Sequence, residues 1–128
     1  MKPVYRPLED ITYEEALRIL KAGTIEERIL LPLRAGETMI DWKSAQTICI
    51  KSFDSEDQRV RANAALGLAY ITRTKGKLEN HLVKPLLIKE LRENTENRGR
   101  IIDAISDINL YLGWHLEEKA LEKNKAEQ

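Results

Sequence analysis

The segment 57–71, DQRVRANAALGLAYI, constrains the fold of this chain more than any other. It reads as a helix that opens on Asp57, runs through Val60 and Arg61, and sets Ala64, Ala65 and Ala69 between Leu66, Leu68 and Ile71. Small side chains let a neighbouring helix approach closely, and the larger aliphatics fill the space between the two backbones. Such a helix suits the interior of a stack of helices, so a helical repeat is the first architecture to test.

Capping signals divide the rest of the chain. Thr12 with Glu15, and Thr24 with Glu27, have the spacing of capping boxes, in which a hydroxyl takes one orphan amide and a glutamate returns to another. Ser55 with Gln58 repeats the device, and Gly23, Gly36 and Gly76 stand where helices should stop. The pattern predicts helices over 12–22, 24–35, 38–53, 56–73, 79–93 and 96–116, and no sheet, because nothing alternates at period two. Each helix has an apolar face, for example Ala16, Leu17 and Leu20 in the first, and Ile101, Ile105, Ile108 and Leu112 in the last. Pro32 and Pro85 each remove a backbone donor inside a patterned segment and should kink or delay its helix. The expectation is one domain over 1–128, with an N-terminal arm at 1–11 and a frayed tail at 117–128.

The chain has 128 residues and a formal net charge of zero, which disfavours a general binder of nucleic acid or anionic membrane. A single cysteine, Cys49, rules out an internal disulfide and fits a reducing compartment. Neither a signal-peptide core nor a membrane-length apolar run is present, so the expected location is cytoplasmic.

A repeat of about 40 residues is visible: helix 38–53, an acidic turn and helix 56–73 correspond to helix 79–93, a second turn and helix 96–116. At an offset of 39, Arg61 meets Arg100, Ala65 meets Ala104 and Leu66 meets Ile105. The two earliest helices form a shorter, degenerate pair of the kind that caps a repeat array. Asp54 and Asp57, Val60-Arg61, Ala64-Ala65-Leu66 and the segment from Val83 to Leu87 resemble the HEAT-repeat family. Gly99 departs from it, since a valine is expected beside Arg100. The resemblance implies an all-α fold, a right-handed α-α superhelix of the HEAT/armadillo kind with about three antiparallel helix pairs.

More particularly, Tyr13 to Leu17, Glu27 to Ile29, Asp41-Trp42 with Ala45-Gln46 and Cys49, Asn63 to Leu68, and Asp103 to Ile108 resemble small bacterial HEAT-like proteins. Some of these serve as immunity proteins that bind and neutralise the toxin of a contact-dependent or polymorphic toxin system. That resemblance implies a protein partner, a cognate toxin domain such as a nuclease, in a 1:1 complex.

The residues themselves do not support an enzyme. His81 and His115 lie far apart with no metalloprotease spacing, and Cys49 sits on an apolar helix face as an inert core thiol would. No Cys/His cluster offers metal ligands, and the basic segment Thr74 to Lys77 lacks the elements of a P-loop, so no cofactor or metal is expected. Asp103 and Asp107 stand one turn apart, and without a third partner they read as a solvated acidic face.

A binding surface is the stronger reading. In a stack of helix pairs the second helices line one face, and here they would present Arg59, Asn63, Asp103, Asp107 and Tyr111. Asp103 and Asp107 could meet a basic surface on a partner, where complementary charge speeds encounter and excludes wrong partners. Arg61 and Arg100 read first as an internal ladder pairing with turn acids such as Asp57, and second as direct contacts. Trp42 and Gln46 share a face one turn apart; Trp42 is either an interface anchor or part of the stripe with Cys49 and Phe53. Trp114, with Leu110 and Tyr111, is either a covered end of the core or an exposed patch. The sequence thus points to a non-enzymatic protein-binding module, most specifically an immunity protein. An adaptor or chaperone-like scaffold and a nucleic-acid-binding repeat are the alternatives, and net neutrality weighs against the latter.

Overall fold

The computed structural model of the protein describes residues 8–117 and 120–121. Most of the expected N-terminal arm and most of the expected tail lie outside the described residues. Those described form helices with no strand: α1 (Tyr13–Ala22), α2 (Ile25–Thr38), α3 (Trp42–Ser52), α4 (Gln58–Lys75), α5 (Asn80–Glu93) and α6 (Arg98–Leu112). None of them is long and apolar enough to cross a membrane.

Local chemistry explains most of the boundaries. Thr24 and Glu27 form a complete capping box, the Glu27 amide donating to the Thr24 hydroxyl at 3.2 Å and the Thr24 amide to the Glu27 carboxylate at 2.9 Å. Those bonds to Thr24 hold the Glu27 carboxyl below its ordinary range. At α1 the Thr12 hydroxyl accepts from the Glu15 amide but donates to the Glu15 carboxylate, so the box is only half made. The N-cap of α4 is Asp57 and not Ser55: its carboxylate accepts from the Arg59 amide at 2.8 Å, while the Ser55 hydroxyl accepts from the Asp57 amide. Gly76 and Gly113 close α4 and α6 in the left-handed region, with φ of 65° and 68°. Gly113 was not anticipated, and it ends α6 before residue 116.

Gly36 corrects the expected end of the second helix. The helix continues through it to Thr38, because Gly36 serves as a point of contact and not as a stop. A Cβ there would lie 2.4 Å from the carbonyl oxygen of Gly67, and one at Gly67 would lie 2.5 Å from that of Pro32. The α2 and α4 backbones therefore touch, and only glycine fits the crossing. Pro32 and Pro85 are accommodated, α2 and α5 continuing past them.

The most extensive packing joins α2 to α4 and α4 to α6, so α4 is the central helix. Asn63 meets Ile29, while Gly67 lies against Pro32 and Gly36, so α2 and α4 run parallel. Arg100 meets Asn63 and Asp107 meets Arg73, so α6 runs parallel to α4 as well. These three helices form one layer, and α1 and α3 pack against each other behind α2 and α4. One cluster of buried side chains lies between, including Leu31, Ile48, Leu68, Ile71, Leu87, Ile101, Ile105 and Ile108.

Burial pushes the Cys49 thiol up, and its Sγ contacts the Pro32 carbonyl oxygen at 3.7 Å, a packed core position. Beyond α6, the Asn109 amide clamps the backbone of Leu116 from both sides at 3.0 Å, and Leu121 is buried.

Candidate functional site

Polar groups divide into those that hold the layers together and those left on the surface. Asn63 belongs to the first kind. It is 2 % exposed, its amide nitrogen donates to the Ile29 carbonyl oxygen at 2.7 Å, and its oxygen accepts from Arg100 at 3.1 Å. One side chain thus ties α2, α4 and α6 together, and it is not the exposed contact expected. Gln46 is equally committed: its oxygen accepts from the Glu79 amide at 2.7 Å and its nitrogen donates to the Glu79 carboxylate at 3.0 Å, securing the start of α5. Trp42 is half-buried on α3 against the core, with Lys43 5.7 Å above its ring. Neither Gln46 nor Trp42 joins the other candidates.

The arginines at offset 39 do different work. Arg61 reaches forward, its Nε 2.9 Å from a Glu90 carboxylate oxygen on α5 and its Nη1 donating to the Ser55 carbonyl at 2.7 Å. Glu90 is buried, and its other oxygen accepts from Asn94, which also donates to the Gln58 carbonyl. Arg100 reaches back to Asn63 on α4. Arg61 does stitch neighbouring elements, but its acid is Glu90. Asp57 pairs with Arg59 instead, in two side-chain bonds of 2.8 and 3.1 Å. Those bonds hold the Asp57 carboxyl down to about 2.

The outer surface of the α2–α4–α6 layer emerges from the helical period. On α2 the positions turned away from both α4 and the core are Glu26, Leu30, Leu33 and Glu37. On α4 they are Arg59, Tyr70 and Arg73, with half-buried Leu66 between them also packing against the core, and before and along α6 they are Glu96, Asp103, Asp107 and Leu110. Since Arg100 and Asp107 both touch α4, Asp103 lies between them on the rim of the α4–α6 groove. Three parallel stripes therefore make one continuous face.

Charge on that face is uneven. Arg73 Nε lies 3.7 Å from Asp107 Oδ2, and its guanidinium sits 4.9 Å from the centre of the Tyr70 ring. Arg59 is taken by Asp57 and Arg100 by Asn63. Among the described residues Glu26, Glu37, Glu96 and Asp103 have no cation within 4 Å. Every arginine on the face has an acceptor, and most of its carboxylates lack a direct ion pair, although Glu26 and Glu96 stand within the field of Arg59. Leu30, Leu110 and Tyr111 add exposed apolar surface, at 46 %, 76 % and 54 %. Trp114 packs against the core with Lys84 4.6 Å over its ring, so the apolar end of α6 is covered at Trp114 and open at Leu110 and Tyr111.

Arg59, Asp103 and Asp107 are thus brought together on one face, with Tyr111 at its edge. Leu30, Leu33, Leu66 and Tyr70 were missed. The spacing of seven from Asn63 to Tyr70 carried the signal for Tyr70, hidden by reading that helix as mainly core. No group of three or more His, Cys, Asp or Glu side chains among the described residues is placed to hold a metal ion. A separate open groove of about 630 Å³ lies between α1, the starts of α2 and α4 and the end of α3, lined by residues including Leu17, Leu20, Arg28, Lys51, Asp57 and Val60. Neither a protein-family model, nor a curated protein, nor a solved structure matches the chain.

Proposed function

We propose that this chain is a non-enzymatic protein-binding module that works through the α2–α4–α6 face, with its helix pairs wound as a HEAT-like right-handed superhelix. The observation that carries the reading is the coincidence, on three parallel helices, of unpaired carboxylates with exposed Leu30, Leu110 and Tyr111. The face is also preformed. Its helices are locked by the Gly36–Gly67 crossing and by the Asn63 bonds, so little ordering entropy is lost when a partner docks.

The most specific form of the reading is a cytoplasmic bacterial immunity protein that covers the active or substrate-binding surface of a cognate toxin, such as a nuclease, in a 1:1 complex. The resemblance of its sequence segments to small HEAT-like immunity proteins supports that form. Carboxylates outnumber arginines on the face, which favours a basic protein over nucleic acid as partner.

The test is co-production with the product of the adjacent gene, because immunity genes lie beside toxin genes. A stable 1:1 complex and restored growth of toxin-producing cells are expected. A neighbouring toxin that is neither bound nor neutralised removes the immunity reading.

A further inference from the structure

We infer that Arg73 is a resident cation that holds the seat for a basic side chain of the protein partner. On binding, a partner lysine or arginine takes over the Tyr70 ring and the Asp103 and Asp107 carboxylates, while an adjacent apolar residue covers Leu110 and Tyr111. The inference rests on the protein-binding reading of the α2–α4–α6 face.

The geometry around Arg73 differs from that of the other ion pairs. Arg59 grips Asp57 through two side-chain bonds, and Arg61 holds a buried Glu90 at 2.9 Å. Arg73 instead makes a single contact with Asp107 at 3.7 Å, with both side chains about two-fifths exposed, at 42 % and 41 %. A pair of that length and exposure is weak and easily exchanged. Its guanidinium nevertheless marks a place already shaped for a cation, over the Tyr70 ring at 4.9 Å.

The surroundings favour an incoming positive charge over an incoming negative one. Asp103, one turn before Asp107 on the same rim, has no cation within 4 Å. If a partner cation displaces Arg73, Asp107 stays neutralised, Asp103 gains a partner, and Arg73 swings into solvent at small cost. An acidic partner reaching Arg73 would be repelled by Asp107 beside it, and would be drawn instead to exposed Lys75 and Lys77 at the end of α4. Leu110, 76 % exposed, follows Asp107 on the same stripe, and Tyr111 adjoins it. The seat therefore fits a basic residue with an aliphatic neighbour about one helical turn away, the i, i+4 pattern of a basic amphipathic helix.

Arg73→Gln separates this arrangement from one in which Arg73 itself contacts the partner. The probe is a synthetic helical peptide carrying Lys and Leu at i, i+4 spacing, with its Glu/Leu counterpart as control, followed by fluorescence anisotropy at low and high salt. The Lys/Leu peptide should bind and the Glu/Leu peptide should not. Arg73→Gln should tighten binding by about threefold, and Asp103→Asn and Asp107→Asn should each weaken it by about as much. Glu93→Gln, an exposed change of the same charge on α5, should leave it unchanged.

Weaker binding by Arg73→Gln, equal binding of the Glu/Leu peptide, or no binding of the Lys/Leu peptide overturns the seat. Circular dichroism melts of the variants should match the parent, since these side chains are exposed. The two readings fail separately. A toxin from the adjacent gene that binds this face while the peptide pattern fails keeps the function and removes the seat. The peptide pattern without any toxin binding keeps the seat and the protein-binding reading, and removes only the immunity form of it.

Discussion

Gly67→Ala tests the central packing claim, because the added methyl has nowhere to go. An alanine Cβ would sit 2.5 Å from the Pro32 carbonyl oxygen and 2.7 Å from Cys49 Sγ. Carbon–oxygen contacts normally lie at about 3.3–3.6 Å, so α2 and α4 must separate by roughly 1 Å. Overpacking of this sort costs about 1–3 kcal/mol, against about 1 kcal/mol gained because alanine is the better helix former. The separation also pulls on the Asn63 bond to Ile29 one turn earlier, at 2.7 Å, and a buried amide left without its partner costs about 1–3 kcal/mol more. The net expectation is a loss of roughly 3 kcal/mol, or a fall in Tm on the order of 10 °C. Urea titration with an unchanged m value measures it. Adding Cys49→Ala should recover only part of the loss, because the Pro32 oxygen is main chain and cannot rotate away. Combining Gly67→Ala with Asn63→Ala should cost less than the sum, since the first already weakens what the second removes. A Gly67→Ala protein as stable as its parent would refute the close crossing.

The other expectations concern helix propensity, a buried ion pair, a cap and the binding face. Gly99→Ala should stabilise by about 0.5–1 kcal/mol, read by the same titration, because an added Cβ there meets nothing within 4 Å. Arg61→Met strands the buried Glu90 carboxylate and should cost roughly 3–5 kcal/mol, most of it recovered when Glu90→Leu is added. The Asp57 carboxyl lies at about 2, below its ordinary 3.8, chiefly because Arg59 bonds its charged form, so that pair's contribution is full above about pH 4 and is lost as pH falls toward 2. Urea midpoints for the parent and Asp57→Asn should therefore converge through that window. Charge reversal of Asp103 and Asp107 together should leave the melting curve in place and weaken partner binding measured by calorimetry by tenfold or more.

The helices were legible because caps and apolar period are local properties. Thr24 with Glu27 sets the start of α2, and Gly76 sets the end of α4, through chemistry contained within a few residues. What failed was whatever depends on a neighbour far along the chain. Gly36 has the signature of a helix stop, yet the backbone of Gly67 decides its role. Arg61 and Arg100 match at a fixed offset in sequence. One turns forward to Glu90 and the other back to Asn63, and no periodicity encodes that direction.

Asn63 shows why the candidate face was only half readable. Its place on the α4 wheel, between Arg59 and Leu66 on one side and Gly67 on the other, suits an exposed polar residue. The glycine crossing brings α2 close enough to cover it, and burial then obliges both ends of its amide to find protein partners. Those partners are the Ile29 carbonyl and Arg100, so the asparagine fixes the spacing of all the helices that form the face. Arg59, Tyr70, Arg73, Asp103 and Asp107 are held in register by a residue that never reaches the surface. Small residues at the centre of α4 and the charge pattern outside it are therefore parts of one device: close packing sets the layer, and the layer sets where the charges stand.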